Sequence, residues 1–102
     1  MKVPRQIKIG AVNAVIKYCD NLSTDEGFNG TYNKRTGLLQ LDSRLEGHSR
    51  DRTFGHELME MIKHNYELTI SEEVMSCVAN GWLEFLWQVG IELDWSDIDD
   101  LP

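Results

Sequence analysis

The sequence predicts an α+β domain in which an N-terminal antiparallel β-sheet, built as a meander with a hairpin, packs against two C-terminal helices. Three observations predict it. Short alternating segments fill residues 6 to 18 and return as the hairpin YNKRTGLLQLDS. The stretch TFGHELMEMIKHNYEL, residues 53 to 68, carries apolar residues at helical spacing. A second helical run follows Ser71. At 102 residues the chain has the length of one domain with a single modest core. Residues 1–43 form its sheet part, 49–89 its two-helix part and 90–102 an acidic C-terminal segment.

Gln6-Ile7-Lys8-Ile9 alternates, and Val12 to Tyr18 is rich in strand formers. With Gly10 between them they read as two tightly joined strands, or one strand bent at Gly10. Residues 20 to 27 are turn formers, read as a loop. Phe28 to Tyr32 resumes extended structure, and Asn33-Lys34-Arg35-Thr36-Gly37 is a hairpin turn with Gly37 at the position of positive φ. Leu38 to Leu41 is the returning strand, with Leu39 and Leu41 on one face. Arg44 to Asp51 reads as a polar connector, and His48 within it as solvated.

In the central helix Phe54, Leu58, Met61 and Ile62 share the core stripe. His56, Glu57, Glu60, Lys63 and His64 cluster on the other side. Thr53 is placed to cap the helix, or Ser49 or Asp51 starts it a turn earlier, and Asn65 marks its end. Ser71 is a good N-cap for the second helix, with Glu72 and Glu73 where the helix dipole favours acids. Val74, Met75, Val78, Trp82, Phe85, Leu86 and Val89 form its broad apolar face, expected to be core, with Trp82 and Trp87 as core and rim. Glu72, Ser76 and Leu83 lie along one flank. Helices joined by a short link pack antiparallel, which brings that flank toward His56. After Gly90 the acidic segment is expected as a tail, or a short strand or turn docked by Trp95.

Composition narrows the function classes. Two cysteines make no disulfide framework, so Cys19 is expected as a small buried thiol in a reduced cytoplasmic protein. No apolar run reaches the length of about 18 residues that a membrane span needs, and MKVPRQIKIGAV lacks a signal-peptide pattern. The net charge of −7 is unevenly spread. Residues 1–52 carry nine Lys and Arg against six acids, and residues 53–102 one Lys against eleven. Direct nucleic-acid binding is not expected from this distribution, whereas the acidic half suits solubility or a basic protein partner.

His56 and Glu60, four apart, point at one object, with Glu57 leaning over the same place. This is the spacing of HExxH, in which two His bind zinc and the Glu acts on the bound water. The second His is here Glu60, a legitimate but more anionic ligand. A weaker Lewis acid, and lower activity, is expected from that set.

QIKIGAVNAVIKY, the hairpin YNKRTGLLQLDS, the helix TFGHELMEMI and the segment ISEEVMSCVANGWLEFL together resemble small phage and mobile-element relatives of the ImmA/IrrE-type metallopeptidases. The resemblance spans most of residues 6 to 89 and implies a zincin-like fold. It implies zinc as cofactor, His56 and Glu60 as metal ligands and Glu57 as catalytic base. The family's third ligand precedes an Ala-Asn pair by three residues. Here the pair is Ala79-Asn80 and that position is Ser76, so Glu72 on the same flank is the better substitute and Glu73 the poorer. His64 is placed by proximity to stabilise an oxyanion. The implied partner is a protein or peptide substrate, met in the host cytoplasm if the chain is phage-encoded. The alternatives are a catalytically inert acidic protein that binds and regulates a host protein, and a structural zinc module without turnover.

Overall fold

In the computed structural model, which describes residues 1–25 and 27–98, four strands form one sheet and two long helices pack against it. The strands are β1 (Gln6–Ile9), β2 (Val12–Cys19), β3 (Gly30–Asn33) and β4 (Leu38–Asp42). A single helical turn, α1 (Leu22–Asp25), lies in the stretch expected as a loop, and α2 (Gly47–Asn65) and α3 (Glu72–Gln88) complete the fold. Among the described residues no helix is long and apolar enough to cross a membrane.

Both expected hairpins form. β1 and β2 pair antiparallel across a turn in which Gly10 and Ala11 both take positive φ, the backbone a two-residue hairpin requires. In the β3–β4 turn Asn33 Oδ1 accepts from the N–H groups of Arg35 and Thr36, and Gly37, at φ 69°, donates to the Asn33 carbonyl. The sheet, however, is not an antiparallel meander. Its order is β1-β2-β4-β3, and β2 and β4 run parallel. Apolar content explains the correction. Leu39 and Leu41 of β4 are fully buried beside Ile16 and Tyr18 of β2, whereas β3 offers only Gly30, Thr31, Tyr32 and Asn33. Putting β4 in the centre buries the richer strand on both edges and leaves β3 at the margin. The connector through α1 spans the extra strand width.

The connector is anchored by one buried acid. Asp42 accepts from the Ser23 N–H and Oγ, both at 2.7 Å, and from the Arg44 N–H, Nε and Nη2. These donors hold its carboxyl far below the usual carboxylate range, the Arg44 guanidinium contributing most.

α2 starts well before Thr53, at Gly47, so His48 sits in its first turn and not in a connector. The His48 ring stacks on Trp87 at 3.6 Å between centroids, and its Nε2 lies 3.3 Å from Glu92. α2 ends at Asn65 as expected, for a reason beyond poor fit: Asn65 Nδ2 donates to the Ile9 carbonyl and Oδ1 accepts from the Tyr32 hydroxyl. The residues after α3 dock on the core. Trp95 is buried edge-on against Phe54 and donates from Nε1 to buried Asp51 at 2.8 Å, and Ile98 is buried with it. Asp94 pairs through its backbone with the chain start at Met1 and Val3. The remainder of the acidic segment, residues 99–102, lies outside the described residues.

α3 is capped by Ser71, whose Oγ accepts from the Val74 N–H. Of the expected core face Met75 is buried and Leu86 half-buried, but the helix is rotated so that the rest is not. Met75, Ala79 and Leu83 are the buried residues, whereas Val74, Val78, Trp82, Phe85 and Val89 are exposed. Gly55 of α2 decides this. A Cβ there would stand 3.1 Å from Leu83 Cδ1 and 3.3 Å from the Ala79 Cβ, so the glycine admits α3 on its Met75–Ala79–Leu83 ridge. Close helix contact along that ridge wins over burial of the larger side chains and turns the Glu72–Ser76 flank toward α2.

Candidate metal centre

His56, Glu57 and Glu60 share a face of α2 because they fall within little more than one helical turn. α3 runs back along α2, and its first two turns set Glu72 and Ser76 over His56. His56 Nε2 lies 3.0 Å from Glu72 Oε2, and His56 Nδ1 lies 3.2 Å from Ser76 Oγ. Nε2 is placed to donate to the Glu72 carboxylate, and Nδ1 shares a hydrogen bond with the Ser76 hydroxyl. A cation that took the Nε2 lone pair would need the tautomer in which Nδ1–H donates to that hydroxyl. One donor atom each from His56, Glu60 and Glu72 lies within 4.8 Å of the others. The structure therefore brings together the three residues anticipated as ligands.

The electrostatics of this cluster are those of too many acids in too little space. Glu60 is pushed above the ordinary carboxylate range by burial and by its contact with the Glu72 carboxyl. Glu72 is held below that range, first by the same contact and also by the charge of His56. The two carboxyls act as a pair. A proton shared by the pair is favoured on the half-buried Glu60 and the charge on exposed Glu72.

Glu57 is buried beside them. Gly30 explains how: a Cβ there would lie 2.7 Å from Thr53 Cγ2 and 3.1 Å from Glu57 Cγ, so a glycine lets β3 close against α2 over the acid. Among the described residues no hydrogen bond to the Glu57 carboxyl is present. Burial pushes it up to about 7; the His56 charge opposes this, and the Glu60 and Glu72 charges add to it. The acid lines a cleft of about 420 Å³ together with residues 27 to 30, Arg52, Thr53, His56, Ser76 and Asn80. A carboxyl poised near neutrality at the wall of a cleft, next to three convergent metal donors, has the protonation range of a general base.

His64 does not join the cleft. Its Nε2 approaches Glu60 Oε2 at 3.4 Å, and its ring lies beside Tyr32 in a separate groove. From there it supports the outer oxygen of Glu60 and does not face the wall formed by Glu57. Glu73, the poorer substitute ligand, is exposed and outside the cluster.

Sequence reasoning missed two features. Ser76 was placed on the right flank but given no task, and it turns out to fix the His56 ring. His48, Asp51 and Glu92 form a second group with donor atoms within 4.8 Å. Here the ring is stacked on Trp87 and the buried acid is engaged by Trp95 Nε1. Glu92 is too far along the chain for any local pattern to have joined it to His48.

The donor chemistry fits zinc: one imidazole nitrogen and two carboxylates are all accepted ligands of that ion. The chain matches no protein-family model, no curated protein and no solved structure.

Proposed function

We propose that the chain is a zinc-dependent, peptidase-like hydrolase of zincin-like build, related to the ImmA/IrrE-type metallopeptidases of phage and mobile elements and acting on a protein or peptide in the cytoplasm. The observation that carries this reading is the convergence of His56, Glu60 and Glu72 donor atoms within 4.8 Å, with buried Glu57 on the adjoining cleft wall. His56, Glu60 and Glu72 would hold a zinc ion, which would supply a Lewis acid and lower the pKa of a bound water, less strongly than with a second histidine in place of Glu60. Glu57 would serve as the general base that takes a proton from a water attacking the peptide carbonyl and would return it to the leaving amine. Ser76, within hydrogen-bond reach of His56 Nδ1, would accept from Nδ1–H in the tautomer that turns the Nε2 lone pair to a metal. Gly30 lets β3 close against the stem of Glu57, and the burial of that residue holds its proton affinity near the working pH.

The test begins with metal content of the untagged protein after incubation with zinc, compared with His56→Ala. The expected result is about one zinc per chain lost in the variant, the stoichiometry of a mononuclear site. Glu57→Gln is then expected to retain zinc and lose peptide cleavage. A chain that binds no zinc in excess metal, or loses none in His56→Ala, overturns the reading.

The second reading, an inert acidic protein that binds and regulates a host protein, draws on the crowding of acids into residues 53–102 and on Glu60 in place of a histidine. On that reading His56→Ala leaves the biological effect intact.

A further inference from the structure

α3 has two apolar faces, and α2 covers one. The second is formed by Val74, Val78, Trp82, Phe85 and Val89, each between 39% and 65% exposed, with Gly81 in its middle. Nothing lies within 4 Å of the place a Gly81 Cβ would take. Trp82 and Phe85 are already set edge-to-face, with ring centroids 6.2 Å apart, so the face presents rigid aromatic anchors. We propose that this face is the interface of a homodimer, in which α3 pairs antiparallel with α3 of a second copy about a two-fold axis passing between Gly81 and Trp82.

The order of residues along the face argues for a second copy. Antiparallel pairing about that point sets Val74 opposite Val89, Val78 opposite Phe85 and Gly81 opposite Trp82. Every member of the face meets another member, and each large ring meets a smaller residue. This is the self-complementarity an isologous contact demands. Charge agrees with the same register: along the paired axes Glu73 falls level with Gly90 and Glu84 level with Ala79, so no acid of α3 stands level with an acid of the second copy's α3. The area also suffices. At these exposures the face offers on the order of 500 Å² of apolar surface per copy, which brings the pair to about the 1,000 Å² total that a specific interface needs. An apolar groove of about 260 Å³ between α2 and α3, bordered by Leu58, Ile62, Trp82 and Leu86, continues the patch beyond the helix itself.

The experiment is sedimentation equilibrium of the untagged full chain, from about 1 µM to about 1 mM, at low and high salt. The mass is expected to rise from 11.7 kDa toward twice that value with concentration. High salt is expected to strengthen the association, because two copies of net charge −7 repel and the contact itself is apolar. Trp82→Ala should weaken it by about tenfold or more. Gly81→Leu supplies the sharper discrimination: it adds apolar surface but fills the place of the second copy's Trp82, so it should also weaken the dimer. Both positions are solvent-exposed, and circular dichroism should be unchanged. A chain that stays monomeric to about 1 mM overturns the proposal. So does a Gly81→Leu variant that associates more tightly, which would mark the face as merely adhesive, and so does a monomer that instead takes up a basic amphipathic helix in a salt-weakened complex.

Discussion

Two buried acids, Asp42 and Glu57, sit in one small core and are treated in opposite ways. Asp42 is 1% exposed and accepts hydrogen bonds from Ser23 and Arg44 on every side, so its charge is welcome and its carboxyl is held well below the ordinary range. Glu57 is 8% exposed, accepts no hydrogen bond among the described residues, and is pushed up to about 7. The difference teaches where the molecule spends stability and where it stores reactivity. An acid with all its lone pairs engaged is an anchor, and an acid buried without partners is ready to take a proton.

The largest effect is expected from breaking the anchor. Asp42→Asn leaves the donors of Ser23 and Arg44 short of an ionised acceptor and should destabilise the chain by about 3 kcal/mol in urea unfolding at neutral pH. Because the folded-state pKa of Asp42 is depressed, its contribution is present above the ordinary value of 3.8 and is lost as pH falls through the folded value. The variant should therefore differ less from the parent in strong acid than at pH 7. An equal difference at both would mean that the hydroxyl and backbone donors, and not charge, carry the anchor.

Glu57→Gln should act in the opposite direction. With the folded pKa raised from 4.5 to about 7, folding favours the protonated acid, so its contribution is fully present below 4.5 and is lost as pH rises to about 7. In metal-free protein, held in chelator, the neutral amide removes that loss. The variant should be more stable than the parent by about 2 kcal/mol at pH 8 and nearly equal at pH 4, where both side chains are neutral. A destabilised variant at pH 8 would place an unseen cation or donor against Glu57. The smallest effect belongs to the helper of the site. Ser76→Ala should leave unfolding within about 0.5 kcal/mol of the parent yet weaken zinc binding about tenfold, measured by competition with a chromophoric chelator.

Part of this contrast was legible in the sequence. The spacing of His56 and Glu60, and the flank that Glu72 and Ser76 share on α3, follow from helical geometry and the antiparallel return of α3. Both hairpins were written in their turn residues. The burial of Glu57 was not, because it depends on Gly30, a residue of a distant strand whose only signal is the lack of a side chain. The parallel contact of β2 with β4 was equally hidden, since alternation along a strand says which face is apolar and not which strand lies alongside. The rotation of α3 was misread for a related reason: a stripe as large as Val74 to Val89 looks like core until the close approach of Gly55 to Ala79 is seen to decide the contact. The early start of α2 was hidden by the polar run before Thr53, which has no apolar period to follow.

The place of β4 between β2 and β3 has a kinetic consequence. The two hairpins, β1–β2 and β3–β4, are local and can each close within microseconds of the chain being released. Neither buries Leu39 and Leu41 against Ile16 until the second hairpin docks along the first in parallel, a step that must close the stretch through α1 before any seam contact repays it. The anchor at Asp42 stands at the end of that seam, with its donors drawn from α1 and from Arg44, two residues past β4. It is placed to latch the docked pair, so the step that assembles the sheet is also the step that completes the hydrogen bonds of Asp42.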